Sequence, residues 1–165
     1  MKRVAILSDT HGKLPDKIVP YLHGMDLILH AGDIGNVAVL EQLQKIAPTV
    51  AVYGNIDDAS VRRLVPEVQR FYIDEVSVLM MHIGGYPGRY TAQARRLIAQ
   101  DTPRLFISGH SHILKIMPDR QHPHLLHINP GAVGFSGWHP SHTVVRLSVE
   151  GTRLFDLEVV DLPRS

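Results

Sequence analysis

Potential metal ligands follow five short apolar runs along this chain. Each run ends in Asp, Asn or His, and a glycine lies close to each of these residues. Two carboxylates, one amide oxygen and four imidazoles form a sulfur-free donor set that suits transition metals, and two ions sharing one carboxylate would use all of it. In chain order the candidate ligands are Asp9, His11, Asp33, Asn55, His82, His110 and His112.

The stretch "LFISGHSH" shows why the set matters more than any single member. If the backbone is extended here, His110 and His112 point the same way. Taken alone, this pair is as consistent with an ordinary turn as with a metal site. Five successive strand ends carrying such ligands are not expected by chance, so the specificity lies in the whole set.

The elements that must position these residues alternate in the first half of the chain. "RVAILS", "DLILHAG" and "TVAVYG" have the apolar, β-branched character of buried strands. A short helix is predicted at residues 15–24, and apolar positions at helical spacing predict another at 37–46. Because ligands gather at the carboxyl ends of strands in such sheets, the polar residues are expected at one edge.

The second half is richer in strands. "RFYIDEVSVLMMH" predicts two strands joined at Asp74-Glu75, "TAQARRLIAQ" a helix, and "PRLFISG" another strand. Three strands are predicted in the tail, with a tight turn at Glu150-Gly151. We expect one α/β (α+β) domain over residues 1–165, with two sheets packed face to face and helices outside.

Composition narrows the classes of function. The chain has no cysteine, which excludes disulfides, thiolate metal sites and a cysteine nucleophile, and which fits a cytoplasmic location. The net charge is +1 and no run of Lys or Arg occurs, so a nucleic-acid partner is not expected. No apolar stretch is long enough for a membrane span. Edge strands in the tail would allow a homo-oligomer.

The ordered motifs "SDTHG", "HAGD", "GN", "MHIGG", "GHSH" and "NPGA" closely resemble those of the calcineurin-like metallophosphoesterases. The resemblance is strongest to their small single-domain bacterial and archaeal phosphodiesterases. It implies a four-layer αββα sandwich of two mixed sheets flanked by helices. It also implies one metal held by Asp9, His11, Asp33 and His112, and a second held by Asp33, Asn55, His82 and His110.

The chemistry implied by the resemblance is hydrolysis of a small phosphoester, a phosphodiester before a monoester. A hydroxide between the two metals would attack phosphorus in line with the leaving oxygen. Asp33 and Asn55 would be catalytic residues, and Asn55 would also contact substrate. The cofactors would be two divalent transition metals, manganese first and nickel, iron, cobalt or zinc as alternatives.

Two departures from the family pattern qualify this reading. Many family phosphatases have "GNH", whose His protonates the leaving group, whereas this chain has Ile56 in that place. His30 is a candidate replacement acid, with a supporting hydrogen-bonding role as the alternative. In the loop after "NPGA", where a basic residue is often found, His139 and His142 are candidate substrate contacts, and Arg89 is a third.

The alternative from another class is a metal-binding interaction scaffold. Some relatives with this fold, such as a subunit of the retromer sorting complex, have lost ligands and act as platforms. Fold alone does not separate the two functions. The complete donor set of this chain favours the enzyme.

Overall fold

Two five-stranded mixed sheets form the centre of this computed structural model, which describes residues 1–164. The strands are β1 (Lys2–Leu7), β2 (Leu27–His30), β3 (Thr49–Ala51), β4 (Val68–Ile73), β5 (Val76–Met81), β6 (Gly85–Tyr86), β7 (Arg89–Tyr90), β8 (Leu105–Ile107), β9 (Leu114–Pro118), β10 (Leu126–Pro130), β11 (Ser141–Glu150) and β12 (Arg153–Pro163). The first sheet has the order β12-β11-β1-β2-β3, and the second has the order β4-β5-β8-β10-β9. Strands β6 and β7 form a separate two-stranded sheet.

The helices are few and short. They are a 3₁₀ helix (Asp16–Tyr21), α1 (Val37–Ile46), α2 (Ala59–Arg62) and α3 (Ala92–Gln100). Asn36 caps α1 by accepting a hydrogen bond from Ala38 N, and Thr91 caps α3 by accepting one from Ala94 N. Among the residues described, none of the helices is long and apolar enough to cross a membrane.

Three layers of apolar side chains explain the order of the elements. Val4, Ile6 and Leu29 from the first sheet meet Val78 and Ile107 from the second in the layer between the sheets. The outer face of the first sheet is covered by the 3₁₀ helix and α1, and that of the second by α3. The sheets therefore form the two inner layers of an αββα sandwich, as predicted.

Parallel pairing directs the strand ends toward one site. β1, β2 and β3 run parallel in the first sheet, and β5 runs parallel to β8 in the second. Because parallel strands have their carboxyl ends at the same edge, the loops that follow these five strands can converge. The candidate ligands lie in those loops or at their first residue.

Several predicted boundaries differ from the structure. The helix predicted at 15–24 is a 3₁₀ helix over Asp16–Tyr21 that contains Pro20, which lacks the N–H that a longer α-helix would need. The tight turn after β11 consists of Gly151 and Thr152, since Glu150 pairs with Arg153. The sequence reading did not identify β9.

Candidate metal centre

Two groups of side chains with metal-binding atoms lie beside one another where the five strands end. The atoms of each group lie within 4.8 Å of one another. In the first group, His112 Nε2 lies 3.2 Å and His11 Nε2 lies 3.5 Å from the same oxygen, Asp9 Oδ1. The structure thus brings together a residue pair that follows β1 and a residue that follows β8.

The second group contains Asp33, His82 and His110. His82 Nε2 lies 3.2 Å from Asp33 Oδ2, and His11 Nε2 of the first group lies 3.4 Å from that same oxygen. Asp33 is therefore placed between the two groups. Asn55 joins the second group, because its Oδ1 lies 3.0 Å from His110 Nδ1.

Three polar atoms of the candidate ligands are buried without a hydrogen-bond partner within residues 1–164. Asp9 Oδ1, His11 Nε2 and His82 Nε2 are buried and, among the residues described, have no hydrogen-bond partner. Such atoms are costly unless something binds them. A divalent cation would satisfy carboxylate and imidazole ligands together, so the residues present fit the two metals that the sequence predicts.

The backbone around the centre is strained, and no sequence pattern predicted this strain. Positive φ angles, from 49° to 72°, occur at five of the candidate ligands, and each costs on the order of 1–3 kcal/mol. The loops are held by backbone hydrogen bonds between them, such as Asp9 N to Gly32 O and His11 N to Asp33 O, both 3.0 Å. The five residues are Asp9, His11, Asp33, His110 and His112.

Interactions with neighbouring histidines keep the Asp9 carboxylate ionised. Burial by itself would raise the pKa of Asp9, but the adjacent imidazoles of His11 and His112 and the charge of His82 outweigh burial and hold that pKa well below its usual range. The neighbouring Asp9 carboxylate raises the pKa of His11. A metal at this site would therefore compete with protons for the His11 imidazole.

Groups behind the ligands fix their orientation. His82 Nδ1 donates to Ala31 O at 2.8 Å, which directs Nε2 into the centre. A Cβ at Gly32, where φ is 105°, would lie 2.7 Å from His82 Nδ1, so only glycine leaves space for this ring. The buried Asp57 carboxylate accepts hydrogen bonds from the backbone N–H groups of Ile34, Gly35 and Gly54, and it thereby ties the loops after β2 and β3 together.

His30, the candidate replacement acid, lies in the interior of the protein. The ring is fully buried, and Gly32 N donates to its Nδ1 at 3.1 Å. Its Nε2 lies 3.0 Å from Thr10 Oγ1, which in turn donates to Ile34 O. Burial lowers the pKa of His30 to about 3, so the ring is neutral and occupied at both nitrogens. The alternative, a supporting hydrogen-bonding role, agrees with these contacts.

The three candidate substrate contacts have different positions. His142 is fully buried on β11, with Nδ1 donating to Val133 O. His139 is also largely buried; its ring lies 5.2 Å from that of His112 and its Nε2 donates to Gly134 O. Arg89 is exposed on β7, and the cavity beside His110 is lined by Gly85 and Tyr86 of that hairpin and not by Arg89.

One supporting residue was missed entirely. Arg164, directly after β12, donates hydrogen bonds to the carbonyl groups of Gly137 and His139, each at 2.8 Å, and to that of Phe135. The loop beside His112 is thus held by a guanidinium about 25 residues away in the sequence. No local pattern indicates such a contact.

Comparison with known proteins identifies the family of this chain. A family model, the calcineurin-like phosphoesterase superfamily domain, matches residues 1–152. A probable metallophosphoesterase from Methanothermobacter thermautotrophicus is 30% identical over 162 residues, which are 95% of this chain and 91% of that protein.

Solved structures show the same architecture. A structure of Vps29 complexed with Zn²⁺ from Entamoeba histolytica has a TM-score of 0.74 at 19% identity, covering 96% of this chain and 98% of that one. The structure of a novel archaeal phosphodiesterase has a TM-score of 0.72 at 19% identity, covering 97% and 99%. The family match over nearly the whole chain, together with the relative at 30% identity, shows that this protein belongs to the calcineurin-like phosphoesterase superfamily.

Proposed function

We propose that this protein is a phosphodiesterase with two divalent metals, held by the seven ligands predicted from the sequence within a single domain over residues 1–165. The observation that supports the proposal most strongly is the position of Asp33 Oδ2. It lies 3.4 Å from His11 Nε2 and 3.2 Å from His82 Nε2, so one carboxylate oxygen faces both ligand groups. A ligand that serves two metals needs this placement.

Each metal would have ligands from both sheets. Asp9, His11, Asp33 and His112 would hold the first, and Asp33, Asn55, His82 and His110 the second. Together the two ions would supply an activated water and neutralise charge as it develops on the phosphoryl group. The mixed N/O donor set suits manganese, and also nickel, iron, cobalt or zinc.

Asn55 has a further role in this proposal. Its Oδ1 faces His110 Nδ1, and its residue is exposed at a cavity that is also lined by His82 and Ile83. The amide Nδ2 of Asn55 can then donate to a phosphoryl oxygen of the substrate. Asp33 contributes by position, because its Oδ1 accepts from Ile56 N at 3.1 Å and this bond orients the carboxylate.

The surroundings favour a diester over a monoester. Ile56 stands where a leaving-group acid is found in many relatives, and His30 is unavailable, so the site suits leaving groups that need little protonation. Ile56, Ile83 and Ile113 each follow a candidate ligand directly, and each is exposed. An apolar rim suits a singly charged diester with apolar substituents better than a doubly charged monoester.

The test compares two activated substrates with the same leaving group. Metal-stripped protein reconstituted with Mn²⁺ should hydrolyse bis-p-nitrophenyl phosphate with a higher kcat/KM than p-nitrophenyl phosphate. The reverse order would make the protein a phosphomonoesterase. Binding of two metals without hydrolysis of either substrate would instead support the scaffold.

A further inference from the structure

Trp138, the only tryptophan of the chain, is fully exposed, with a relative accessibility of 101%. It lies in the loop between β10 and β11. Tryptophan has a large apolar surface and is enriched at binding interfaces, where a partner covers it. Nothing in the catalytic chemistry proposed above uses this residue, so its position needs its own explanation.

The tryptophan belongs to a cavity that adjoins the metal centre. This cavity has a volume of about 610 Å³ and contains both His110 and His112 in its wall. Ile113, Leu114, Trp138 and Pro140 supply the apolar part of its lining. Ile113 directly follows a candidate ligand and is 62% exposed. A phosphoryl group at the centre would therefore have an apolar space beside it.

Both sequence neighbours of Trp138, Gly137 and His139, pack against the candidate ligand His112. A Cβ at Gly137, where φ is 109°, would lie 2.5 Å from His112 Nδ1, so the backbone reaches the ring only because this residue is glycine. The His139 ring packs edge-on against His112, with centroids 5.2 Å apart. Trp138 lies between these two contacts.

A single guanidinium fixes this conformation. Arg164 donates to the carbonyl oxygens of Gly137 and His139, each at 2.8 Å, and these residues flank Trp138 in the sequence. It also donates to Phe135 O. Because the backbone is fixed on both sides of Trp138, the positions that the indole can reach are restricted, which lowers the cost of ordering it when a ligand binds.

We propose that Trp138 is the stacking platform for a flat, aromatic substituent of the phosphodiester substrate, and that the cavity beside His110 and His112 is the subsite that receives it. This inference rests on the proposed function and names the substrate class. The non-leaving group of the diester would lie on the indole face, with Ile113 and Pro140 at its sides. Stacking on an aromatic side chain requires no particular hydrogen-bond donors or acceptors on the ligand, because any planar π system can stack.

Binding can be followed without catalysis, since Trp138 is the only source of tryptophan fluorescence. Zn²⁺-loaded protein is titrated with phenylphosphonate or methylphosphonate, neither of which has an ester bond to hydrolyse. We expect phenylphosphonate to change the emission saturably and methylphosphonate to require at least about tenfold higher concentration for half-saturation. Equal responses to the two ligands would overturn the proposal.

Kinetics then test the same subsite. Bis-p-nitrophenyl phosphate and methyl p-nitrophenyl phosphate release the same leaving group and differ only in the substituent that remains. Trp138→Ala should raise KM for the first substrate about tenfold relative to the second, Trp138→Phe should restore most of the difference, and Arg164→Ala should act in the same direction as Trp138→Ala. Tyr72→Ala, which removes another exposed aromatic on β4, is the matched control and should leave the ratio unchanged.

These experiments distinguish failure of the stacking proposal from failure of the proposed phosphodiesterase function. If the wild-type protein hydrolyses both diesters and Trp138→Ala does not alter the KM ratio, the stacking platform is wrong and the proposed phosphodiesterase stands. If the wild type hydrolyses neither and gives no fluorescence response, both proposals fail. If Trp138→Ala dissociates a dimer in sedimentation experiments and leaves the KM ratio unchanged, a second copy of the chain covers Trp138 and the substrate inference is overturned.

Discussion

His82 Nε2 lies 3.2 Å from Asp33 Oδ2, while the other nitrogen of the same ring donates to Ala31 O at 2.8 Å. The imidazole is thus fixed by a backbone carbonyl two residues before the carboxylate that it faces. The strand end of β5 in one sheet and that of β2 in the other are joined by this ring. Two separate sheets are in this way linked at the candidate metal centre.

The two groups of candidate ligands predict that one metal can be lost while the other stays bound. The wild-type protein should bind two divalent ions per chain, and His112→Ala should bind about one, because it removes a ligand from the group around Asp9. Metal content after dialysis, measured by elemental analysis, gives the ratio. His124→Ala changes an exposed histidine and should retain two ions. Two tightly bound ions in His112→Ala would show that this residue is not a ligand.

The contacts of His30 predict a supporting role. His30→Gln should lower activity, because the link between the loops after β1 and β2 through Thr10 is weakened. It should leave unchanged the slope of log kcat/KM against the pKa of the leaving group, measured with a series of aryl diesters. A steeper slope in the variant would mean that His30 does protonate the leaving group.

The hydrogen bonds of the Asp57 carboxylate predict that its loss strongly destabilises the fold. Asp57→Ala leaves three buried or half-buried backbone N–H groups without their acceptor and should lower the free energy of unfolding by roughly 3 kcal/mol or more. Urea denaturation in EDTA measures this. The adjacent Asp58→Ala removes only the cap of α2 and should cost about 1 kcal/mol. Equal losses for the two variants would contradict the account.

His127 predicts how stability depends on pH. Burial lowers its pKa to about 4 in the folded protein, against 6.5 as the ordinary value. Between these values the unfolded chain binds more protons than the folded one, so stability is full above pH 6.5 and falls as the pH drops toward 4. Over this range, protonation of His127 in the unfolded chain lowers the free energy of unfolding by about 3 kcal/mol.

His127→Asn tests this assignment, since an amide can still donate to Phe106 O but does not titrate. The dependence of unfolding free energy on pH between 4 and 6.5 should become shallower by about one proton. The exposed His23→Gln is the control and should keep the wild-type slope. An unchanged slope in His127→Asn would show that His127 is not the titrating group.

Local patterns explain which parts of the fold were predictable. The helix at Val37–Ile46 was predicted with its observed bounds, because apolar residues at helical spacing act within one element. The strand pair around Asp74-Glu75 was confirmed for the same reason. The sandwich followed from strands that are apolar on both faces and must be covered on both.

The remaining features depend on contacts that are distant in the sequence. His142 was read as a loop residue, but β11 begins at Ser141 and buries it between Val133 O and the Phe135 ring. The positive φ angles at the ligands and the hold of Arg164 on the loop around Trp138 arise only when the strands have assembled. Sequence spacing identified the candidate ligands, whereas the groups that support them could be found only in the three-dimensional structure.

The central claim is that Asp33 joins two metals into one hydrolytic centre. Hydrolysis of bis-p-nitrophenyl phosphate is measured with metal-stripped protein before and after addition of Mn²⁺, alongside Asp33→Asn and the exposed control Asp101→Asn. The account predicts turnover that depends on the metal, loss of at least about 10²-fold in Asp33→Asn, and wild-type rates in Asp101→Asn. Wild-type turnover in Asp33→Asn, or turnover that persists without any divalent metal, would contradict it.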